Sequence, residues 1–140
     1  QCISVFSECD GAVMNAAVAD FTPEKPESKK VKKEKNDWEL KLVATNDIAL
    51  ELGKVKTSAQ VLVGFALETD NELANATKKL EQKNLDFIVL NSLNDTGAGF
   101  QTDTNKITIL GKDNIPLFFE LKNKAEVASD IVDKIASILK

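Results

Sequence analysis

The sequence predicts an α/β fold with a mostly parallel sheet, and three observations carry that reading. Residues 60–66 (Gln-Val-Leu-Val-Gly-Phe-Ala) and 85–91 (Leu-Asp-Phe-Ile-Val-Leu-Asn) are apolar runs of strand length. Neither has a regular polar face, as expected of parallel strands covered on both sides. Helical periodicity follows these runs, over 71–83 and over 124–139, and the helices supply the crossovers and the covering layers. Lys106-Ile-Thr-Ile-Leu110 and Ile115-Pro-Leu-Phe-Phe-Glu120 flank Gly111-Lys-Asp-Asn114, the pattern of a β-hairpin.

In chain order, Ile3, Val5 and Phe6 predict the end of a helix, with Gly11 as its left-handed stop. Residues 12–17 form a small-residue strand, buried on both faces. Ala19-Asp-Phe-Thr-Pro23 ends it, and a loop rich in Pro, Glu and Lys follows. That loop reads either as solvated chain or, beside the alternating strand Trp38-Glu-Leu-Lys-Leu42, as a β-ribbon flap. Thr45-Asn-Asp47 is a helix-start signal, and the helix runs through Ile48, Leu50 and Leu52 to a stop at Gly53. Its first N–H groups serve either as an ordinary helix end or as a seat for phosphate. In the helix over 71–83, Leu73, Ala76 and Leu80 make the apolar stripe. Lys79 and Lys83 border that stripe and Lys78 points away. On spacing alone, Lys79 and Lys83 read as surface lysines or as cations leaning along the stripe toward a cleft. Residues 92–100 form a flexible loop, whose Gly97 and Gly99 are too weak a signal for a nucleotide fingerprint. In the closing helix Val127, Ala128, Ile131, Val132, Ile135, Ile138 and Leu139 share one face. A ligand site is expected beyond the carboxyl ends of the parallel strands, near Ala17, Ala66 and Asn91.

Composition narrows the chemistry. The 140 residues suffice for one domain with a true core, and 43% hydrophobic with 29% charged content is ordinary for a globular protein. No apolar run approaches the ~20 residues of a membrane span, so the expected location is cytoplasmic, with no membrane partner. A net charge of −4 argues against nucleic acid as the partner. The chain has no His and no Tyr, and its 18 basic residues are all Lys. Histidine general bases, Ser-His-Asp triads, histidine metal sites and arginine fingers are thereby excluded from these residues. Cation chemistry falls to lysine, above all the cluster Lys29-Lys-Val-Lys-Lys33 beside the end of the first strand. Cys2 and Cys9 lack CxxC spacing and read as reduced thiols ahead of a disulfide or metal pair. No metal ligands are assigned, and acids such as Asp103 read as structural.

Several stretches, in this order, resemble phosphopantothenoylcysteine synthetase (phosphopantothenate–cysteine ligase). They are Ala16-Ala-Val-Ala-Asp20, Lys30-Val-Lys-Lys33, Asn46-Asp-Ile48, Val63-Gly-Phe-Ala-Leu-Glu-Thr69, Lys83-Asn-Leu-Asp86 and Gly99-Phe-Gln-Thr-Asp-Thr-Asn105. The family is the synthetase half of the bifunctional coenzyme A biosynthesis flavoprotein. The resemblance implies a Rossmann-like three-layer sandwich with a β-ribbon. Residues 1–140 would be a single domain, the C-terminal part of a synthetase domain and about 60% of it, lacking the family's N-terminal Gly-rich nucleotide loop and Ser-Ser-Gly loop.

It also implies a reaction. 4′-Phosphopantothenate and cysteine are joined as an amide through an acyl-cytidylate made from CTP, with ATP second as the nucleotide and Mg²⁺ accompanying the triphosphate. FMN enters only if a decarboxylase domain is fused to the N-terminus. A homodimer is implied, with the 38–43 strand as its contact. By the same resemblance Lys30 is the catalytic lysine, and Met14, Asn15 and Ala16 are the strand end facing the base. Asp20 belongs to the nucleotide pocket, Asn46, Asp47, Ile48 and Ala49 to the helix start, and Phe65 is the pocket phenylalanine. Lys79 and Lys83 contact the nucleotide. Two departures show: Asn46 stands where the family has Pro, and the loop between Lys33 and Trp38 is shorter than in some relatives. The fragment alone is expected to be inactive. The alternative is a non-catalytic α/β module that binds a nucleotide or another anionic metabolite.

Overall fold

A computed structural model describes residues 1–30, 39–68, 70–92 and 102–139. The chain forms two compact units: Gln1–Asn15 with Ile48–Lys140, and Ala16–Asp47.

The larger unit holds a five-stranded sheet in the order β1 (Gly11–Met14), β4 (Val61–Glu68), β5 (Phe87–Ser92), β7 (Ile107–Gly111) and β8 (Pro116–Phe118). β1, β4 and β5 are parallel, and β7 and β8 add an antiparallel hairpin edge. The expected α/β class and the hairpin are therefore both present. Alternation along the strands splits the core into two clusters, because successive side chains leave a strand on opposite faces. Leu62, Ala66, Ile88, Leu90 and Leu110 pack with Phe6, Leu52, Ala76 and Leu80 of α2 (Ile48–Val55), α3 (Glu72–Gln82) and the N-terminal turn. Val61, Val63, Phe87, Val89, Ile107 and Ile109 pack on the other face with Val127 and Ile131 of α4 (Lys124–Ile138). Helices thus cover both faces, and the larger unit is a three-layer sandwich.

The smaller unit carries a ribbon in which β2 (Phe21–Pro23) pairs antiparallel with β3 (Leu42–Ala44). The expected ribbon exists, but its first strand lies at the start of the segment read as loop. Its second strand sits further along than 38–42, and residues 31–38 lie outside the described part. A third two-stranded piece, β6 (Thr104–Asn105) with β9 (Lys122–Asn123), leads into α4. Asn123 caps that helix with a capping box: its side chain accepts from Glu126 N–H, and the Glu126 carboxylate accepts from Asn123 N–H.

Several local expectations give way to packing. Gly11 is not a helix stop. The opening helix α1 (Cys2–Val5) passes through a 3₁₀ turn, Phe6–Glu8, and Gly11 is already in β1. A Cβ there would lie 2.4 Å from the Val61 carbonyl oxygen of the adjacent strand. Gly53 is not a stop either. It lies buried inside α2, where a Cβ would meet the Lys83 carbonyl oxygen at 2.0 Å. Both glycines permit close backbone approach, a need that a local sequence window does not show. The helix expected after Thr45-Asn-Asp47 does begin there, at Ile48, while the Thr45 hydroxyl itself donates to the Ala19 carbonyl at the base of the ribbon. β1 stops at Met14 and is only partly covered, with Val13 48% exposed, because α4 lies over β4, β5 and β7. In α3 Leu73 is exposed while Ala76 and Leu80 are buried. In α4 the buried stripe narrows to Val127 and Ile131 with Ile135 beside them, leaving Val132 and Ile138 exposed. A single helix on a sheet buries one narrow stripe, not every apolar residue on its face. Cys2 and Cys9 are exposed free thiols.

Candidate functional site

Chain direction decides which end of the sheet can serve as a site. α2 and α3 connect parallel strands, so each begins at the carboxyl edge of the sheet and runs back toward the amino edge. At the carboxyl edge of the larger unit stand Met14 and Asn15 at the end of β1, Phe65 to Glu68 in β4, and Asn91 in β5. Ile48 and Ala49 open α2 at the same edge. Met14 and Ile48 pack partly buried on the α2/α3 face, whereas Phe65 packs against the α4 face.

Lys79 joins this edge through an ion pair. Its Nζ lies 2.5 Å from Oε1 of Glu68, the last residue of β4. The other carboxylate oxygen accepts from Asn75 Nδ2 at 3.2 Å, and the same amide nitrogen donates to the Asp70 carbonyl at 3.0 Å. Asn91 Oδ1 accepts from Asn105 Nδ2 at 3.1 Å, which ties the end of β5 to β6. Lys78 is exposed and Lys79 half-buried, as their helix positions dictate.

Lys83 is placed differently. It is the C-terminal cap of α3, whose end is a Schellman motif: Leu85 N–H bonds the Leu80 carbonyl and Asn84 N–H the Glu81 carbonyl. Asn84 takes the left-handed conformation, φ 49°, and its side chain bonds the Gly53 carbonyl. The Lys83 backbone is thereby pinned beside α2, at the amino edge, while Lys79 stands toward the carboxyl edge.

Asp20, Ala16, Lys30, Asn46 and Asp47 all belong to the smaller unit and are exposed. Thr45 N–H bonds the Asp20 carbonyl, which closes the ribbon at its base. Lys30 lines a cleft of about 490 Å³ together with Lys25, Lys29, Lys41, Glu24 and Glu27. Lysines and glutamates alternate there, and Lys41 pairs with Glu24 at 2.7 Å. The remaining lysines of the motif, Lys32 and Lys33, lie outside the described residues, as do Thr69, Gly99, Phe100 and Gln101.

One charged group escaped the sequence reading. Asp86, at the amino edge, accepts from Lys56 Nζ, Lys112 Nζ and Leu62 N–H, each at 2.7 Å. The Lys56 side chain is only 5% exposed. Burial pushes the Asp86 carboxyl upward, but the three donors outweigh it and hold the group below its ordinary value. Burial lowers the Lys56 ammonium, and the like charge of Lys112 adds to that, so that together they outweigh the raising effect of Asp86. Asp86 did fall within a quoted family stretch, but nothing in its spacing from Lys56 or Lys112 signals a contact. Among the described residues, no group of three acidic, Cys or His side chains could hold a metal ion.

Comparison with known proteins decides the family. The domain described as "DNA/pantothenate metabolism flavoprotein C-terminal domain" matches residues 1–139. The chain belongs to this family. It is 43% identical over 138 residues to the coenzyme A biosynthesis bifunctional protein CoaBC of Bacillus subtilis (strain 168), covering 99% of this chain and 34% of that protein. It is 55% identical over 137 residues to a protein of an unknown prokaryotic organism named cysteine/cysteine sulfinic acid decarboxylase, covering 98% of this chain and 38% of that one. The crystal structure of the C-terminal domain of CoaBC superimposes with a TM-score of 0.77 at 33% identity, over 99% of this chain and 59% of that domain. The chain thus spans little more than a third of the length of these two curated relatives.

Proposed function

We propose that this chain is part of a phosphopantothenate–cysteine ligase acting in coenzyme A biosynthesis. The observation that carries the reading is its 43% identity, along 99% of its length, with a bifunctional coenzyme A biosynthesis protein. CTP is the activating co-substrate, ahead of ATP. A carboxylate oxygen of 4′-phosphopantothenate bonds to the α-phosphorus of CTP, and the bond to the β-phosphate oxygen breaks, releasing pyrophosphate. The cysteine amine then bonds to the acyl carbon and expels CMP, leaving the amide.

What the chain's own residues supply is charge and position. An anion attacking an anion requires cations and fixed donors more than a general base, and a chain rich in lysine and lacking histidine is suited to that. Lys30 stabilises the charge developing in the first step. In the larger unit Lys79, Met14, Asn15, Phe65, Ile48 and Ala49 receive the nucleotide; Ala16, Asp20, Asn46 and Asp47 of the smaller unit are given the same role by the family resemblance alone. Lys83 serves the same site only if its side chain extends back along α3 from its cap position. Mg²⁺ arrives on the phosphates of the nucleotide. In that reading residues 1–140 are the C-terminal part of a synthetase domain, inactive by themselves. FMN and decarboxylase chemistry enter only if a decarboxylase domain is fused to this one, an arrangement consistent with the name of the 55% identical relative.

The test is Lys30→Gln in the complete protein. Product amide formation should fall at least ~100-fold with circular dichroism and melting temperature unchanged. Turnover equal to wild type would remove the role given to Lys30. A wild-type protein that forms no amide from phosphopantothenate, cysteine and CTP, yet binds CTP, would support the non-catalytic binding module instead.

A further inference from the structure

At the carboxyl edge, Glu68 does something for which the proposed reaction has not accounted. It ends β4, the second of the three parallel strands, and its side chain is 14% exposed. Both carboxylate oxygens are engaged. Oε1 holds Lys79 Nζ at 2.5 Å and Oε2 holds Asn75 Nδ2 at 3.2 Å. Asn75 is fixed in turn by its bond to the Asp70 carbonyl, so the carboxylate is oriented from the first turn of α3. Lys79 itself is 42% exposed, open to solvent on its far side.

A lysine ammonium sits on a flexible stem with about 2 kcal/mol of rotamer entropy, and on an open helix face it samples many positions. Here one of its three donors is committed to Glu68. That holds the ammonium at the end of β4, and the 42% exposure of the side chain leaves room for a further acceptor. Because Asn75 also donates to the carboxylate, part of the acid's repulsion toward an incoming anion is offset.

We propose that Glu68, steadied by Asn75, is a positioning residue that pre-organises Lys79 to receive a nucleotide phosphate. The proposal rests on the nucleotide-contacting role given to Lys79 above. Glu68 does not touch the reacting atoms; it acts through the lysine. A carboxylate serves better than a neutral acceptor because a charge-assisted bond is about twice as strong as a neutral one.

The experiment is calorimetry with CTP on the complete protein, followed by steady-state ligation. Glu68→Gln keeps the shape and removes the charge. It should weaken CTP binding about tenfold and raise the KM for CTP similarly, with the KM for cysteine within about twofold of wild type. Lys79→Met should weaken CTP binding at least as much, and adding Glu68→Gln to it should change the affinity by less than about twofold. A merely structural Glu68 would cost the same in both backgrounds and lower the melting temperature. That result, or unchanged CTP affinity in Glu68→Gln beside an impaired Lys79→Met, overturns the inference. Unchanged affinity in Lys79→Met removes the lysine's own role and the inference with it. Wild-type protein that binds CTP without ligating defeats the ligase reading alone, since the affinity comparison still reports on Glu68. Should Glu68→Gln fail to fold, Glu68→Asp keeps the charge with a shorter reach and is expected to weaken CTP binding about threefold; wild-type affinity would count against the proposal.

Discussion

At the scale of single residues, glycine and aspartate separate what is locally visible from what is not. Gly53 sits where a helix stop would be natural, yet it is an interior helical residue against which the Lys83 backbone closes. A methyl group there would meet a carbonyl oxygen at 2.0 Å, and a Schellman-capped turn cannot easily move away. Gly53→Ala should therefore destabilise the protein by about 3 kcal/mol, despite alanine's better helix propensity. Urea denaturation tests this, and an unchanged midpoint would show that α2 and α3 can separate at no cost. Lys78 and Lys79 teach the complementary lesson. Their exposures follow from the ~100° helical step, so that contrast was legible; the Glu68 partner that gives Lys79 its address was not.

Among the elements, the ribbon was expected and found, with shifted boundaries. β2 begins inside a stretch that composition marks as loop, because Phe21-Thr-Pro23 gains its partner only when Leu42–Ala44 folds back. The ribbon leaves Phe21 61%, Leu42 50% and Val43 36% exposed, an unusual amount of apolar surface for a strand pair. That exposure supports the proposed homodimer with its contact at residues 38–43, a span whose first residue lies outside the described part. Sedimentation of the complete protein should give a dimer, and Leu42→Asp should raise its dissociation constant at least ~10-fold. A wild-type protein that stays monomeric at high concentration would refute the ribbon contact. α4 shows the opposite error, since seven apolar positions suggested a broad buried face and the sheet accepts only a narrow one.

For the whole molecule, the Asp86 cluster ties the end of α2, the start of β5 and the β7–β8 turn at the amino edge, opposite the candidate site. Its pH signature has a defined sign. Asp86 is held below its ordinary value of 3.8 in the folded state, so its contribution is complete above that pH and lost as pH falls through the lower folded value. Lys56, lowered from 10.5, acts at the other end: below 10.5 the unfolded chain binds more protons, and stability rises with pH across that window. Asp86→Asn should cost about 3 kcal/mol at neutral pH, because Lys56 is left buried without its counter-ion, and should flatten the acid limb below pH 3.8. An acid limb as steep as wild type in thermal melts at pH 2–5 would assign that dependence to other carboxylates.

The amino-acid sequence by itself determined the α/β class, the buried strands β4 and β5, the hairpin, the two long helices and the family. Each of these depends on periodicity or on ordered motifs, which are properties of the chain read along its length. Tertiary structure alone decided that Gly11 and Gly53 are packing glycines, that Lys83 is pinned at the amino edge while Lys79 reaches the carboxyl edge, and that Asp86 and Glu68 each gather donors from other elements. Those outcomes depend on which backbone or side chain arrives from a distant part of the chain. A contact between residues 30 apart, as between Lys56 and Asp86, leaves no periodic trace in the sequence.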